Sequence, residues 1–405
     1  MAETRTKSML HRFMLLSILG GMGMGVSQIA VTLYAVSLGA DASQIGLIGG
    51  IQGVGLLLTV LPVGFLVDRF GPRVVFLFGG LMSALIYLAF PYVRTAQLLI
   101  AFVAVIGFFT SFRFISMSSV FLEFLESCGN EKAGWQRGSH STGLVFLGPM
   151  AGAFLARHAG YTATFYAVSG SLVALILGAA VVFPGRPNEP SRHSFRETLA
   201  HIGGMFKDRN LVEASLAEGL ALATFSCFNA FIVVIAIRTF GLSAQGAAMF
   251  VSLEGIVFIA TLFSLWRLVA RLGQRRFYLL SIGILVAGLS LLSISRHPAF
   301  PAAGTVLVGI GLGMFNLVNV TRIGATPGRK GKVAGLFALF TVGGSILGPI
   351  AGGYIGKAFG PGAIFPAFIP LFLAFGLRLH LRGDDEISFG GTPSRVDHGA
   401  EGAAS

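Results

Sequence analysis

Long apolar runs, broken at short intervals by glycine, proline or charge, fill the chain from residue 13 to residue 381. A helix needs about 20 such residues to cross a hydrocarbon layer roughly 30 Å thick, and it satisfies its own backbone where water cannot. The pattern predicts twelve spans, at 13–36, 44–67, 74–93, 97–122, 134–156, 164–183, 211–237, 244–268, 277–295, 299–321, 333–356 and 362–381. Most breaks are short and carry turn formers or charge, among them LGADAS, DRFGPR, RHAGY, FGLS and RLGQRR. One is long and polar, PGRPNEPSRHSFRETLAHIGGMFKDRN at 184–210, and it divides the spans six and six. The expected architecture is an all-α integral membrane protein. An N-terminal segment (1–12) leads into a six-helix bundle (13–183), then the linker (184–210), a second six-helix bundle (211–381) and a disordered tail (382–405).

Charge adds an orientation to this picture. Of the 29 Lys and Arg residues, 23 fall in the segments on the side of the N-terminus, the linker and the tail, counting Arg137, Arg267 and Arg378 near the adjoining span ends. The opposite loops hold Arg94, Arg157, Arg238, Arg296 and Lys357, and Arg113 lies inside span four. Basic residues collect on the cytoplasmic side, so both termini and the linker are expected in the cytoplasm of a multi-pass inner (plasma) membrane protein. The net charge of +12 then reflects topology and an anionic leaflet, with the bilayer as partner and no nucleic acid. The start MAETRTKSMLHRF has the basic flavour of a secretory signal, but its apolar run is too long, so a retained helix is expected. Cys128 and Cys227 lie in different halves and the eight His are scattered, so neither a disulfide framework, nor a metal centre, nor a cofactor is implied.

The two halves repeat. At an offset of 200, Lys132, Gly143, Leu147, Gly148, Pro149, Ala151 and Gly152 recur as Lys332, Gly343, Leu347, Gly348, Pro349, Ala351 and Gly352. DRFGPR at 68–73 recurs at an offset of 202 as ARLGQR at 270–275, with Asp68 replaced by Ala270. Duplicated bundles around a central pathway are a transporter architecture.

With two six-span halves and G-x-x-x-D-R-x-G-x-R between spans two and three, the chain resembles the major facilitator superfamily over roughly residues 12–381. The signature residues are Gly64, Asp68, Arg69, Gly71 and Arg73, with Pro72 where the family usually has a basic residue. The resemblance implies alternating access with a latch at the cytoplasmic end: Asp68 facing a helix end near Val333, and Arg69 and Arg73 meeting Glu123 and Glu126. It also likens Gly143, Gly148, Pro149 and Gly152 to a Gly-Pro motif associated with antiporters. The same residues in span eleven (Gly348, Pro349, Gly352) point equally to close helix packing.

Ionisable groups inside spans are expensive and read first as functional. Glu254, Glu218, Arg113 and His140 are the candidates for proton coupling, with Glu218 also able to meet Arg209 or solvent. Gln28, Gln52, Asn229, Asn316 and Asn319, together with Arg113 and Arg137, are candidates for a substrate cavity, because the resemblance lines the pathway with spans one, four, seven and ten. No phosphate-binding loop and no nucleophile elbow occurs, so the expectation is a transporter driven by a gradient and not an enzyme. The favoured reading is a monomer that exports a small organic solute in exchange for protons. The alternatives are proton-coupled uptake of an anionic solute, such as an organic acid or small siderophore, and a transport-dead receptor or assembly factor on the same fold.

Overall fold

A computed structural model describes residues 2–128, 135–183, 209–294, 297, 299–325 and 330–381. The described residues form helices and no strand: α1 (Ala2–Ser37), α2 (Ala42–Phe70), α3 (Pro72–Ala89), α4 (Ala96–Cys128), α5 (Trp135–Ser141), a π-helical segment (Thr142–Leu147), α6 (Gly148–His158), α7 (Gly160–Val182), α8 (Arg209–Phe240), α9 (Ala244–Ser264), α10 (Trp266–Leu272), α11 (Gln274–Ile294), α12 (Ala299–Ala325), α13 (Lys330–Phe359) and α14 (Ile369–Leu381). Eleven of the described helical stretches are long and apolar enough to cross a membrane. The predicted fifth span falls outside that number because it is assembled from α5, the π segment and α6. Leu58, Val181, Phe263 and many other large apolar side chains point outward, as a lipid-facing surface requires. The linker and tail lie outside the described residues.

The duplication seen in the sequence sets the helix boundaries in both halves. Asp41 caps α2, accepting from the Gln44 N–H at 2.8 Å while the Gln44 side chain accepts from the Asp41 N–H at 2.9 Å. Ser243, at the offset of 202, caps α9 by accepting from the Gly246 N–H at 3.2 Å. The glycine shared by DRFGPR and ARLGQR has a backbone role: Gly71 and Gly273 turn the chain at φ 83° and 77°, a region that disfavours any side chain. Pro72, which departs from the family pattern, is the first residue of α3, where its missing N–H costs nothing.

Glycines bring neighbouring helices into backbone contact in each half. A Cβ on Gly143 would strike the Ile18 carbonyl of α1, and one on Gly148 would strike Gly25. In the second half, a Cβ on Gly344 would strike Gly219 of α8, one on Gly348 would strike Ala223, and one on Gly352 would meet the Cys227 Sγ. The packing glycines of the second half are thus four apart, one α-turn, whereas Gly143 and Gly148 are five apart. The π turn absorbs this extra residue, closed by the Gly148 N–H on the Gly143 carbonyl. Pro349 stands in the same place in an uninterrupted α13, so the proline alone does not impose the π turn.

Two further seams join the halves. Gly46, Gly49 and Gly53 of α2 pack on Pro349 and Ile346 of α13, and Gly255 of α9 packs on Val145 of the π segment.

Candidate functional site

A cavity of about 200 Å³ opens between the halves, lined from α1, α2, α3, α4, α8 and α13. Three of its amides are those anticipated from the sequence: Gln28, Gln52 and Asn229. Hydroxyls of Ser27, Thr32, Tyr87, Thr110, Ser226 and Ser345 add further hydrogen-bonding groups, and Val31, Ile48, Phe90 and Ile106 supply apolar wall. The lining contains no charged side chain. Asn229 Nδ2 donates to its own helix at Phe225 O, 2.9 Å away, leaving its Oδ1 to the cavity. The Tyr87 hydroxyl and Ser27 Oγ share a short hydrogen bond.

Arg113 lies just beyond this lining. It sits seven residues, or two turns, along α4 from Ile106 and on the same face, and its Nη2 donates to the Thr110 Oγ1 at 3.3 Å. His140 hydrogen-bonds the Ser17 carbonyl of α1 and is near enough to Arg113 to feel its charge. The Arg137 side chain lies outside the described residues.

Asn316 and Asn319 do not line the cavity. Their Nδ2 groups are taken by Glu218, at 2.6 Å to Oε1 and 2.6 Å to Oε2. Glu218 is itself buried, so pairing with solvent is replaced by this double amide clasp; the Arg209 side chain lies outside the described residues. Tyr278 donates to Asn319 Oδ1, and the Arg322 guanidinium lies over the Tyr278 ring, 5.6 Å from its centroid. Arg322 in turn pairs with Glu213 at 3.4 Å, and Glu213 with Arg378 at 3.1 Å. A buried polar chain therefore runs through α8, α11, α12 and α14. Sequence reading missed Glu213, Tyr278, Arg322 and Arg378. Two acids in the one window EASLAEG, and an Arg one turn beyond Asn319, were the available signals.

Glu254 stands apart from that chain. It is 0% exposed on α9, and neither carboxyl oxygen has a hydrogen-bond partner among the described residues. Its place is set by the duplication. Glu254 lies at the offset of 202 from Gln52; a Cβ on Gly107 would strike the Gln52 carbonyl, and one on Gly309, again at 202, would come within 2.9 Å of the Glu254 carbonyl. Glu254 is thus the counterpart, across the pseudo-symmetry, of a cavity-lining amide.

The two ends of the bundle differ. At the end opposite the linker, Lys357 of α13 pairs with Asp41 at 3.0 Å, and Arg238 Nη2 donates to the Ala40 carbonyl at 3.0 Å, tying the halves together. Hydrogen bonds from the Ser43 hydroxyl, the Gln44 N–H and Lys357 hold the Asp41 carboxyl at about 2, below its ordinary 3.8. At the linker end, Gly64 has nothing within 4 Å beyond its own helix, and Arg69 lies over the Phe70 ring at 5.3 Å. Among the described residues Asp68, Arg69 and Arg73 form no ion pair. Glu123 has its own partner, and the side chains of Glu126 and Val333 lie outside the described residues. The described residues therefore leave the expected contacts to Glu126 and Val333 untested.

Twin bundles, a cavity between them and one closed end describe a membrane transporter of the alternating-access kind. The sequence profile of the Major Facilitator Superfamily matches residues 13–262 and 214–389, and the chain belongs to that family. It is a multi-pass membrane transporter and not an enzyme. Among solved structures, a mutant of the nucleoside transporter NupG aligns at a TM-score of 0.79 and 15% identity, over 92% of this chain and 99% of that one. A bacterial homologue of the human lysosomal transporter Spinster, inward-facing and occupied, aligns at 0.74 and 12% identity, over 96% of this chain and 99% of the other. Identities this low establish a shared fold. No curated protein matches the sequence.

Proposed function

We propose that the protein is a proton-coupled secondary transporter, acting as a monomer, that moves a small organic solute through the amide-lined cavity, with Glu254 carrying the proton. The observation that carries this reading is the Glu254 carboxyl, enclosed without a hydrogen-bond partner among the described residues at the pseudo-symmetric position of Gln52. A buried carboxylate with no partner is costly, so this position suits a group that holds a proton while enclosed and releases it when the cavity reaches water. Glu218, clasped by two amides, suits a structural acid instead.

The linker end is proposed to face the cytoplasm, in keeping with the distribution of Lys and Arg. The conformer is then read as inward-facing, because the Asp41–Lys357 pair shuts the opposite end, and the Asp68 latch is the contact that would close in the outward-facing state. The inward-facing Spinster homologue aligns in keeping with this assignment.

The test is accumulation of solute in proteoliposomes under an imposed pH difference. Glu254→Gln should abolish uphill accumulation while preserving solute exchange, and Glu218→Gln should retain coupling. Normal pH-driven accumulation by Glu254→Gln would overturn the assignment. The export reading draws on the Gly-Pro sequence, whose residues helix packing accounts for in both halves. The sign of the driving gradient decides the direction: accumulation as protons leave the vesicle is antiport, and accumulation as they enter is symport.

A further inference from the structure

The cavity lining is uncharged, yet a permanent positive charge lies just beyond it. Arg113 continues the α4 face that presents Ile106 and Thr110 to the cavity, and it is only partly buried. A guanidinium has five N–H donors; one of them reaches Thr110 at 3.3 Å, and the Nε is buried without an acceptor. Tyr87, whose hydroxyl belongs to the cavity wall, is a neighbour of Arg113.

Among the described residues no acid pairs with Arg113. The ion pairs of the described residues involve Glu213 and Asp41, and Arg113 takes part in none of them. Glu218 is held by Asn316 and Asn319 in the other half. His140, the other titratable side chain facing Arg113, is neutral or positive and cannot neutralise it. Arginine does not discharge itself by losing a proton, so its cost inside the membrane is met only by an anion brought to it.

We propose, resting on the transport reading above, that the solute is a small organic monocarboxylate. Its carboxylate docks on the free edge of Arg113 beside Tyr87 and Thr110, and its uncharged remainder hydrogen-bonds to Gln28, Gln52 and Asn229. A carboxylate is favoured because its two coplanar oxygens match the planar guanidinium fork, and among the described residues Arg113 offers the one such fork beside the cavity. The volume of about 200 Å³ limits the rest of the molecule to a small skeleton.

The test uses purified protein and a panel of small monocarboxylates, each paired with its primary carboxamide, with ligand-induced thermal stabilisation as the first readout and uptake of labelled hits into proteoliposomes as the second. Carboxylates should stabilise the protein and their amides should not. Arg113→Gln should weaken binding of the hits by about tenfold or more, equivalent to at least about 1.4 kcal/mol. Arg113→Lys, which keeps the charge but loses the fork, should fall between; it also serves if Arg113→Gln does not purify as a monodisperse protein. The proposal is overturned if amides bind as well as acids, if Arg113→Gln binds the hits as the parent does, or if the panel yields no carboxylate ligand. Failure of the proton reading is seen separately: Glu254→Gln that still accumulates a carboxylate uphill sinks that reading while leaving the carboxylate site intact.

Discussion

Replacing Glu213 by Ala should destabilise the C-terminal bundle far more than its place near a helix start suggests. Glu213 is 3% exposed and binds two guanidinium groups, Arg322 at 1% exposure and Arg378 at 55%. Arg378 regains water when the carboxylate is removed, so its share is about 0–1 kcal/mol. Arg322 cannot, and deleting one partner of a buried pair costs about 3–5 kcal/mol. Arg322 also lies over Tyr278, which bonds Asn319, which bonds Glu218, so the loss should spread along the polar chain. Glu213→Ala and Arg322→Met should therefore each be strongly destabilising, whereas Glu213→Leu with Arg322→Met, which leaves neither charge behind, should recover most of the loss. Cys227 provides the assay, because it is free, buried and on the same helix as Glu213. In a Cys128→Ser background, its rate of thiol labelling on heating reports the opening of α8. The reasoning is refuted if Glu213→Ala labels like the parent, or if the double variant is worse than either single one.

The two ends of the bundle should respond in opposite senses. Asp41→Asn keeps the α2 cap but removes the charge facing Lys357, shifting the population outward-facing by the small amount an exposed pair allows, about 0.2–1 kcal/mol. Asp68→Asn should shift it inward, with distances between spin labels at the two ends as the readout and unchanged distances in both as the contrary result. The Asp41 carboxyl is held at about 2, so its pairing is complete above its ordinary value of 3.8 and lost only as pH falls through about 2. Any pH dependence of transport between about pH 5 and 8 should therefore survive Asp41→Asn. Finally, the duplicated glycines should part company: Gly143→Ala drives a methyl into the Ile18 backbone and should lower the yield of folded protein. Gly343→Ala, with nothing within 4 Å, should leave it unchanged in size-exclusion profiles.

The spans were legible because each membrane helix must satisfy its own backbone and face lipid, which writes twenty-residue apolar runs into the chain whatever the neighbours are. The cavity amides were legible for a related reason: Gln28, Gln52 and Asn229 are polar where polarity is costly, and the structure gathers them at one cavity. What a polar residue meets is a different matter, because it depends on helix rotation and pairing. Asn316 and Asn319 share a face, as their spacing implied, but that face turns to Glu218 and not to the cavity. Glu213 and Arg322 went unread because they stand near span ends, where charge usually records topology. The broken fifth span was hidden as well, since its Pro149 has a counterpart, Pro349, inside an uninterrupted α13.

Divergence between the duplicated halves separates what holds the fold from what gives it chemistry. The copies agree where backbone geometry is at stake: Gly71 and Gly273 at the turn, Gly107 and Gly309 at a helix crossing, Asp41 and Ser243 both as helix caps. They keep some charges, as at Arg69 and Arg271 or Arg73 and Arg275, and differ at others. Gln52 answers to Glu254, Asp68 to Ala270, and the caps share an acceptor but only Asp41 carries charge to meet Lys357. The two parallel bundles are related by an axis along the membrane normal, so identical bundles would offer a solute two equivalent orientations in the cavity. Glu254 stands in one half and Arg113 in the other, so on the two proposals above a proton and a solute anion would be received on opposite sides of one pathway. On the proposed function the shared backbone geometry would serve the rocking of the halves, and charge differences such as Gln52 against Glu254 would serve the coupling.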